Sequence, residues 1–354
     1  MDVSVVIPTR GRPDKLAACI RALAGQTLGA ERFEALVGID GGADDDRATG
    51  AVRAALHDAW PNGRAERLVV VPLPRQGQAA VRNALLARAR GETIVFLNDD
   101  VIPEPGLLEA HLAAQREATE TGRPALVVGA APWRIHNPDR LFDRLIRETS
   151  MVFFYDRMDA MLHAGEAGRD RDWGFRHAWM LNLSAPADLI RESGGIAVFP
   201  DTYGYEDDEL AWRLARRYGT RVLYRPEAVA VHDHRMDPED YLRREFRLGH
   251  GAWGFARAAP QCAQDMFARD VASAEEADYS RQFVQRERAT AERLEVSFRR
   301  LADLPADAAS GRHAHDVIRL AYEQHLLLKR WHWRRGLLAA ADEHAPPHDE
   351  PERT

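Results

Sequence analysis

Several short stretches of this chain carry groups that bind cations or move protons. Asn98-Asp99-Asp100 follows directly on the apolar run Thr93-Ile94-Val95-Phe96-Leu97. Adjacent carboxylates repel unless a cation or hydrogen-bond donors offset their charge, and hard oxygens are what Mg²⁺ or Mn²⁺ takes while it also holds substrate phosphates. An isolated Asx cluster ahead of a proline, here Pro103, is more commonly a solvated turn, so this stretch alone carries little weight. Glu206-Asp207-Asp208-Glu209 opens an amphipathic segment. Acidic residues are expected in a first helical turn, but four in a row exceed what capping needs, and one of them can serve as a general base. His232 and His234 follow the run Ala228 to Val231. Imidazole at a strand end is a common metal ligand, although a lone histidine is more often a hydrogen-bonded polar side chain. Arg75-Gln76-Gly77-Gln78 leads into a helix bearing Arg82 and Asn83, so donors and a helix N-terminus meet as a diphosphate requires. No GxGxxG or GxxxxGK[ST] pattern follows an early strand, which disfavours dinucleotide oxidoreductases and P-loop enzymes.

The elements that must position these groups alternate. Strands are expected at residues 3–8, 35–39, 68–71 and 93–97, with helices from Pro13 to Gln26, about Ala48 to Trp60 and Gly77 to Ala89 between them. This βα alternation implies a largely parallel sheet covered on both faces, with ligands outside the carboxyl ends of the strands. The segments to inspect are therefore Pro8 to Arg12, Asp40 to Asp46 and Asn98 to Pro103. Beyond them the pattern loosens. A strand at Ala125 to Ala130, a helix near Pro186 to Ser193, a helix at Glu206 to Arg217 and strands at Arg221 to Tyr224 and Ala228 to Val231 are expected. From about residue 236 only Arg/Glu-rich helical spacing remains. The expected organisation is a catalytic domain over 1–235, a helical extension over 236–343 and a disordered tail over 344–354.

Composition narrows the classes. The chain has 354 residues, 45% hydrophobic and 29% charged, and 48 Lys plus Arg against 55 Asp plus Glu give a formal net charge of -7. That balance argues against a protein built to coat nucleic acid. Cys19 and Cys262 provide neither a disulfide framework nor a Cys-based zinc site. No signal peptide or membrane-length apolar run is present, so a cytoplasmic location is expected. The Leu/Trp-rich, basic segment His325 to Leu338 can lie on an anionic membrane surface or pack against the protein; its mixed faces favour packing and leave peripheral contact with the inner face of a membrane open.

Taken in order, these segments resemble the family 2 glycosyltransferases of the GT-A fold, a Rossmann-like mixed α/β sheet. The match runs through Val3-Ser4-Val5-Val6-Ile7-Pro8-Thr9 with Arg12, Ile39-Asp40-Gly41-Gly42, Ala80-Val81-Arg82-Asn83 and Phe96-Leu97-Asn98-Asp99-Asp100. It continues through Asn182, Gly194-Gly195, Gly204-Tyr205-Glu206-Asp207-Asp208-Glu209-Leu210 and Val231-His232, covering roughly residues 3–235. The resemblance implies a metal-dependent, inverting hexosyl- or deoxyhexosyltransferase of the kind used in polysaccharide biosynthesis. It would use a UDP-, dTDP- or GDP-linked donor, Mn²⁺ or Mg²⁺, and a hydroxyl acceptor on a glycan, a lipid-linked saccharide or a small molecule; homo-oligomerisation stays open. It also implies roles. Asp100 and His232 would hold the metal, and Asp207, with Glu206 beside it, would be the base. Pro8, Thr9 and Asp40 would line the nucleotide base, Asp99 the ribose, and Arg82 and Asn83 the phosphates, with Arg12 and Asn98 in the same donor pocket. Asn98 replaces the first carboxylate of a full DXD motif, and Gly41 stands where many members carry a second Asp, which weakens a uracil assignment. A sugar- or nucleotide-binding scaffold without turnover is the alternative, and a nucleotidyltransferase a weaker one.

Overall fold

The β-branched runs become the centre of a seven-stranded sheet. The computed structural model describes residues 1–60, 66–200 and 202–344. In chain order the first elements are β1 (Val3–Thr9), α1 (Pro13–Ala24), β2 (Phe33–Asp40), α2 (Asp46–His57), β3 (Leu68–Leu73), α3 (Gln78–Leu86), β4 (Thr93–Leu97), β5 (Val101–Pro103), α4 (Leu107–Glu120) and β6 (Ala125–Gly129). Then come α5 (Leu141–Glu148), α6 (Tyr155–His163), β7 (Asn182–Pro186), α7 (Ala187–Glu192), α8 (Glu206–Tyr218), β8 (Arg221–Arg225) and β9 (Ala230–His232). Four further helices follow: α9 (Pro238–Ala258), α10 (Pro260–Phe267), α11 (Ala274–Arg300) and α12 (Ala314–Glu343). The chain divides into two compact units. The first comprises Met1–His136, Arg147–Val198 and Glu206–Arg235; the second comprises Asn137–Ile146, Phe199–Tyr205 and Met236–Thr354.

In the first unit the strand order is β3-β2-β1-β4-β7-β6-β8. Strands β1 to β4 are parallel, β7 runs antiparallel to both β4 and β6, and β6 pairs in parallel with β8. Every residue of β1 and β4 is buried, as continuous apolar runs in a doubly covered sheet should be. Pro13 fits the first turn of α1, and the Asp45 side chain caps α2 by accepting the Ala48 N–H at 2.9 Å. The expected mixed α/β architecture with C-terminal helices is thus what the chain adopts. One element carries little sequence signal. Strand β7 alternates polar Asn182 and Ser184 with Leu183 and Ala185, and the polar side is buried against α4. There His111 bonds Ser184 Oγ and Asn182 Oδ1, each at 2.9 Å, and Gln115 donates to Ser184 Oγ at 3.0 Å. A buried strand with a satisfied polar face reads from sequence like a loop.

In the second unit the segment Asn137–Ile146 joins the helices through specific contacts. Arg140 binds Asp143 at 2.7 Å and Asp237 at 2.5 Å, Arg144 donates to Ala306 O at 2.8 Å, and Phe142 meets Phe298 edge-on at 5.3 Å. The His325 to Leu338 stretch lies within α12, where Leu328, Trp331 and Leu337 are buried and the Trp331 indole donates to Val284 O at 3.1 Å. Among the described residues no helix is long and apolar enough to cross a membrane. Of the tail expected from 344, His344 follows α12 directly and residues 345–354 lie outside the described residues.

Helices α9 and α12 cross at two glycines. A Cβ on Gly249 would strike Trp333 O, and one on Gly336 would strike Phe246 O. Gly336→Val should therefore destabilise the chain by roughly 2 kcal/mol or more, since overpacking a tight contact generally costs about 1–3 kcal/mol. Gly50→Ala, at a helical glycine open to space, should be neutral or stabilising. Urea titration of the two variants and the parent checks the contrast.

Candidate active site

The end of β4 delivers two buried carboxylates side by side: Asp99 is fully buried and Asp100 is 5% exposed. Their partners come from the end of β1 and the loop before α1. Thr9 Oγ donates to Asp99 Oδ2 at 2.7 Å, and the half-exposed Arg12 guanidinium bridges the pair, reaching Asp100 Oδ2 at 2.6 Å and Asp99 Oδ1. A two-stranded ribbon outside the main sheet then brings up the late histidine, because β5 pairs antiparallel with β9 and sets Val101 opposite His232. His232 Nε2 lies 3.8 Å from Asp100 Oδ1, and His234 Nδ1 lies 3.6 Å from Asp100 Oδ2. Burial alone would raise Asp100, but His232, Arg12 and His234 together hold it well below the usual carboxylate range. Asp99 goes the other way. Desolvation and the charge of Asp100 push it up to about 6 against the pull of Arg12 and Thr9.

The donor chemistry at Asp100 fits a divalent ion. Asp100 Oδ1 and His232 Nδ1 are buried with no hydrogen-bond partner, so the carboxylate oxygen that faces His232 Nε2 is unspent. Two donors each about 2.1 Å from one ion lie roughly 3–4 Å apart, and 3.8 Å falls in that range. Among the described residues no group of three or more His, Cys, Asp or Glu is arranged to hold a metal. A cation with one or two protein ligands, completed by substrate phosphates and water, is the usual Mg²⁺ arrangement.

The second acidic cluster sits in the first turn of α8, and it is tied to the first. Asp207 Oδ2 accepts the Met180 backbone N–H at 2.9 Å, while its Oδ1 is buried and unpartnered. Leu181, the next residue, accepts the Asn98 N–H at 3.4 Å, so one stretch of backbone holds both the base candidate and the start of the β4 loop. Buried Arg82 makes a second link, donating to Asn98 Oδ1 at 2.9 Å and lying 4.0 Å from Glu206 Oε1, which also accepts from Gln78 Nε2 at 2.6 Å. Desolvation and the neighbouring Glu206 push Asp207 up to about 7, against Arg82 and the Met180 N–H. Desolvation and Asp207 push Asp208 up to about 8. Asp207 and Asp208 thus both carry a raised proton affinity, as titratable groups in active sites commonly do.

The remaining sequence-derived residues separate. Pro8 is buried in β1 opposite Gly38, and Asp40, at the end of β2, uses Oδ1 to accept the Gln76 and Gly77 N–H groups at 2.7 and 3.2 Å. Asp40 thereby fixes the loop entering α3. Asn83 is not brought to the carboxylates: its amide donates to Ile196 O at 2.7 Å and accepts from Ile196 N at 2.9 Å, which occupies it in holding the loop after α7. Arg82 is 2% exposed and acts through Asn98 and Glu206 instead of presenting a solvent-facing charge.

Other residues join the site without a sequence signal of their own. Trp133 lies against His232, with ring centroids 4.2 Å apart and planes tilted by 35°. Asp233 donates its N–H to Asp100 O at 2.7 Å, and its carboxylate accepts from Lys15 at 2.9 Å and Arg134 at 3.0 Å. Met180 contributes only a backbone group, which no residue type advertises. Asp233 could have been noticed, because it lies between the two histidines.

Residues 4–169 match the family model described as glycosyl transferase family 2. This segment belongs to glycosyltransferase family 2. Asp207 and His232 lie beyond it. A pre-mycofactocin glycosyltransferase of Mycobacterium tuberculosis is 27% identical over 254 residues, 71% of this chain and 47% of that protein. The chain thus spans about half the length of that relative. Glycosyltransferase AglE of Haloferax volcanii is 28% identical over 249 residues, 70% of this chain and 72% of that protein. Among solved structures, the mannosyltransferase PcManGT of Pyrobaculum calidifontis, in complex with GDP-Man and Mn²⁺, aligns with a TM-score of 0.51 at 17% identity. The alignment covers 97% of this chain and 86% of that one, and it supports the GT-A fold of the family 2 segment and its continuation.

The raised Asp207 has a consequence for stability. A carboxylate whose folded pKa lies above its unfolded value of about 4 opposes folding once it must ionise, and that cost is complete above about pH 7. Asp207→Asn, whose amide oxygen can still accept the Met180 N–H, should be more stable than the parent at pH 8, by on the order of 2 kcal/mol. The difference should vanish near pH 4. Thermal unfolding across this range tests the sign.

Proposed function

We propose that this chain transfers a hexose or deoxyhexose from a nucleotide diphosphate donor to a hydroxyl acceptor with inversion at the anomeric carbon. The observation that carries the reading is the pairing of two half-used carboxylates on one stretch of structure. Asp100 has an unspent oxygen facing His232, and Asp207 is fixed by Met180 with its other oxygen unspent. Asp100 and His232 would hold a divalent cation, Mn²⁺ or Mg²⁺, which when bound supplies charge neutralisation for a diphosphate leaving group. Asp207 takes the proton of the acceptor hydroxyl as it attacks the anomeric carbon from the face opposite the leaving group. Its raised proton affinity suits that task near neutral pH, and Arg82 and Gln78, both near Glu206, keep the neighbouring carboxylate from turning away. Arg12 and Thr9 set the orientation of Asp99 and Asp100 toward the donor. The GDP-Man and Mn²⁺ complex of the archaeal mannosyltransferase supports a sugar nucleotide with a divalent ion, and the two curated relatives are named glycosyltransferases.

Asp100→Ala is expected to abolish Mn²⁺-dependent binding of nucleoside diphosphate; unchanged affinity by titration calorimetry would remove the metal assignment. For Asp207→Asn the expected result is near-normal nucleotide affinity with turnover lowered by roughly two to four orders of magnitude, the scale of a positioned general base. Turnover of the parent should rise with pH through about 7 as Asp207 ionises, and a flat profile from pH 5 to 8 speaks against this base.

A further inference from the structure

Five ring-bearing side chains of the first unit link the two halves of the candidate site. The backbones of Trp133 and His232 form a bridge, and Trp133 sets its ring against that imidazole. Phe153 follows, with its ring centroid 6.2 Å from Trp133 and 6.1 Å from His232. Trp179 lies 5.1 Å from Phe153, and Phe154 and His177 complete the group at 5.9 and 5.8 Å from Trp179. The residue after Trp179 is Met180, whose N–H Asp207 accepts. The rings therefore run from the imidazole beside Asp100 to the backbone group that holds Asp207.

All five are half-buried, so each keeps part of its surface open to solvent. A run of half-open rings leaves apolar area in water, which is characteristic of a surface that a ligand covers. The edge of the run is polar. Exposed Arg176 precedes His177, and its charge acts on Asp208, the carboxylate next to Asp207. An alkyl chain laid along the rings would desolvate those groups without giving them partners. A pyranose suits both features. Its C–H face packs on the negative face of an aromatic ring, and its hydroxyls turn outward to meet imidazole, guanidinium and carboxylate groups.

We infer that Trp133, Phe153, Phe154, His177 and Trp179 form the acceptor subsite and that the acceptor is a saccharide, which stacks on Trp179 and Phe154 and offers one hydroxyl to Asp207. The inference rests on the transfer reaction proposed above and narrows its acceptor to one chemical class. It gives the Trp179-Met180 pair a double use, since the ring holds the acceptor while the next peptide N–H orients the base.

The test titrates the full chain, with Mn²⁺ and a nucleoside diphosphate bound, with cellobiose, lactose and maltose and, as the competing class, with n-octanol. Tryptophan fluorescence and calorimetry are the readouts. Binding of at least one disaccharide with a change in tryptophan emission is expected; binding of octanol alone, or of no disaccharide, overturns the inference. Trp179→Ala and Phe154→Leu should each weaken that disaccharide roughly 10-fold, the scale of a lost aromatic contact with its buried area. Nucleoside diphosphate affinity in the presence of Mn²⁺ should stay within about twofold of the parent, because these rings do not touch Asp100. Trp179→Phe should recover most of the disaccharide affinity. Parental disaccharide affinity in folded Trp179→Ala overturns the inference, and should that variant fail to fold, parental affinity in Phe154→Leu overturns it equally. The titration needs no turnover, so full activity of Asp207→Asn, which removes the base assignment, is an outcome distinct from any result at the rings.

Discussion

Two carboxylates on consecutive residues, buried at the carboxyl end of a central strand, impose the condition that the rest of this site satisfies. Neither Asp99 nor Asp100 can turn to solvent, and like charges at that separation cannot both ionise freely in a desolvated setting. The fold resolves the conflict by making them unequal. Asp100 receives two imidazoles and one arm of Arg12 and stays ionised; Asp99 receives Thr9 and the other arm and keeps a raised proton affinity. The turn from β1 into α1 supplies Thr9 and Arg12, and the ribbon of β5 and β9 supplies the histidines. The architecture around β4 is in that sense a set of answers to one electrostatic question.

The same logic recurs at the start of α8. The helix N-terminus favours anions in general, but burial separates Glu206, Asp207 and Asp208 according to what each one touches. Glu206 is engaged by Gln78 and faces Arg82, Asp207 has one backbone donor, and Asp208 is left with the charge of its neighbour. Arg82 connects the two clusters, since it reaches Asn98 on one side and approaches Glu206 on the other. The Arg82 charge pulls the proton affinity of Asp207 down against its neighbours, while its hydrogen bond to Asn98 ties the same side chain to the end of β4.

The parallel half of the fold was legible because its strands are unbroken apolar runs, and such runs are buried on both faces. Thr93 to Leu97 as a strand and Glu206 as a helix start required nothing beyond periodicity. Strand β7 was not legible, because its inward side is polar and becomes a strand face only when His111 and Gln115 of α4 arrive to bond it. In the candidate site, Asp100, Asp207 and His232 stood out by residue type and by their place after strands or at a helix start. Trp133, Met180 and Asp233 did not, since what they contribute is a ring face, a backbone donor and a support for Lys15 and Arg134, all set by tertiary contact. Asn83 shows a use that residue type does not reveal. A polar residue beside a phosphate-type loop suggests a ligand, yet its amide is committed to the backbone of Ile196.

The small ribbon that joins β5 to β9 also orders events in time. Asp99 and Asp100 emerge early during synthesis, with their β1 partners already made, whereas His232 lies on the last strand of the first unit. Closing a loop of that length is slow compared with forming neighbouring βα units. A nascent chain, or one cut short before β9, therefore has its sheet centre and its acidic pair but lacks the imidazole opposite Asp100. On the function proposed above, the second ligand for a cation at Asp100 is therefore delivered only by the final strand of the first unit.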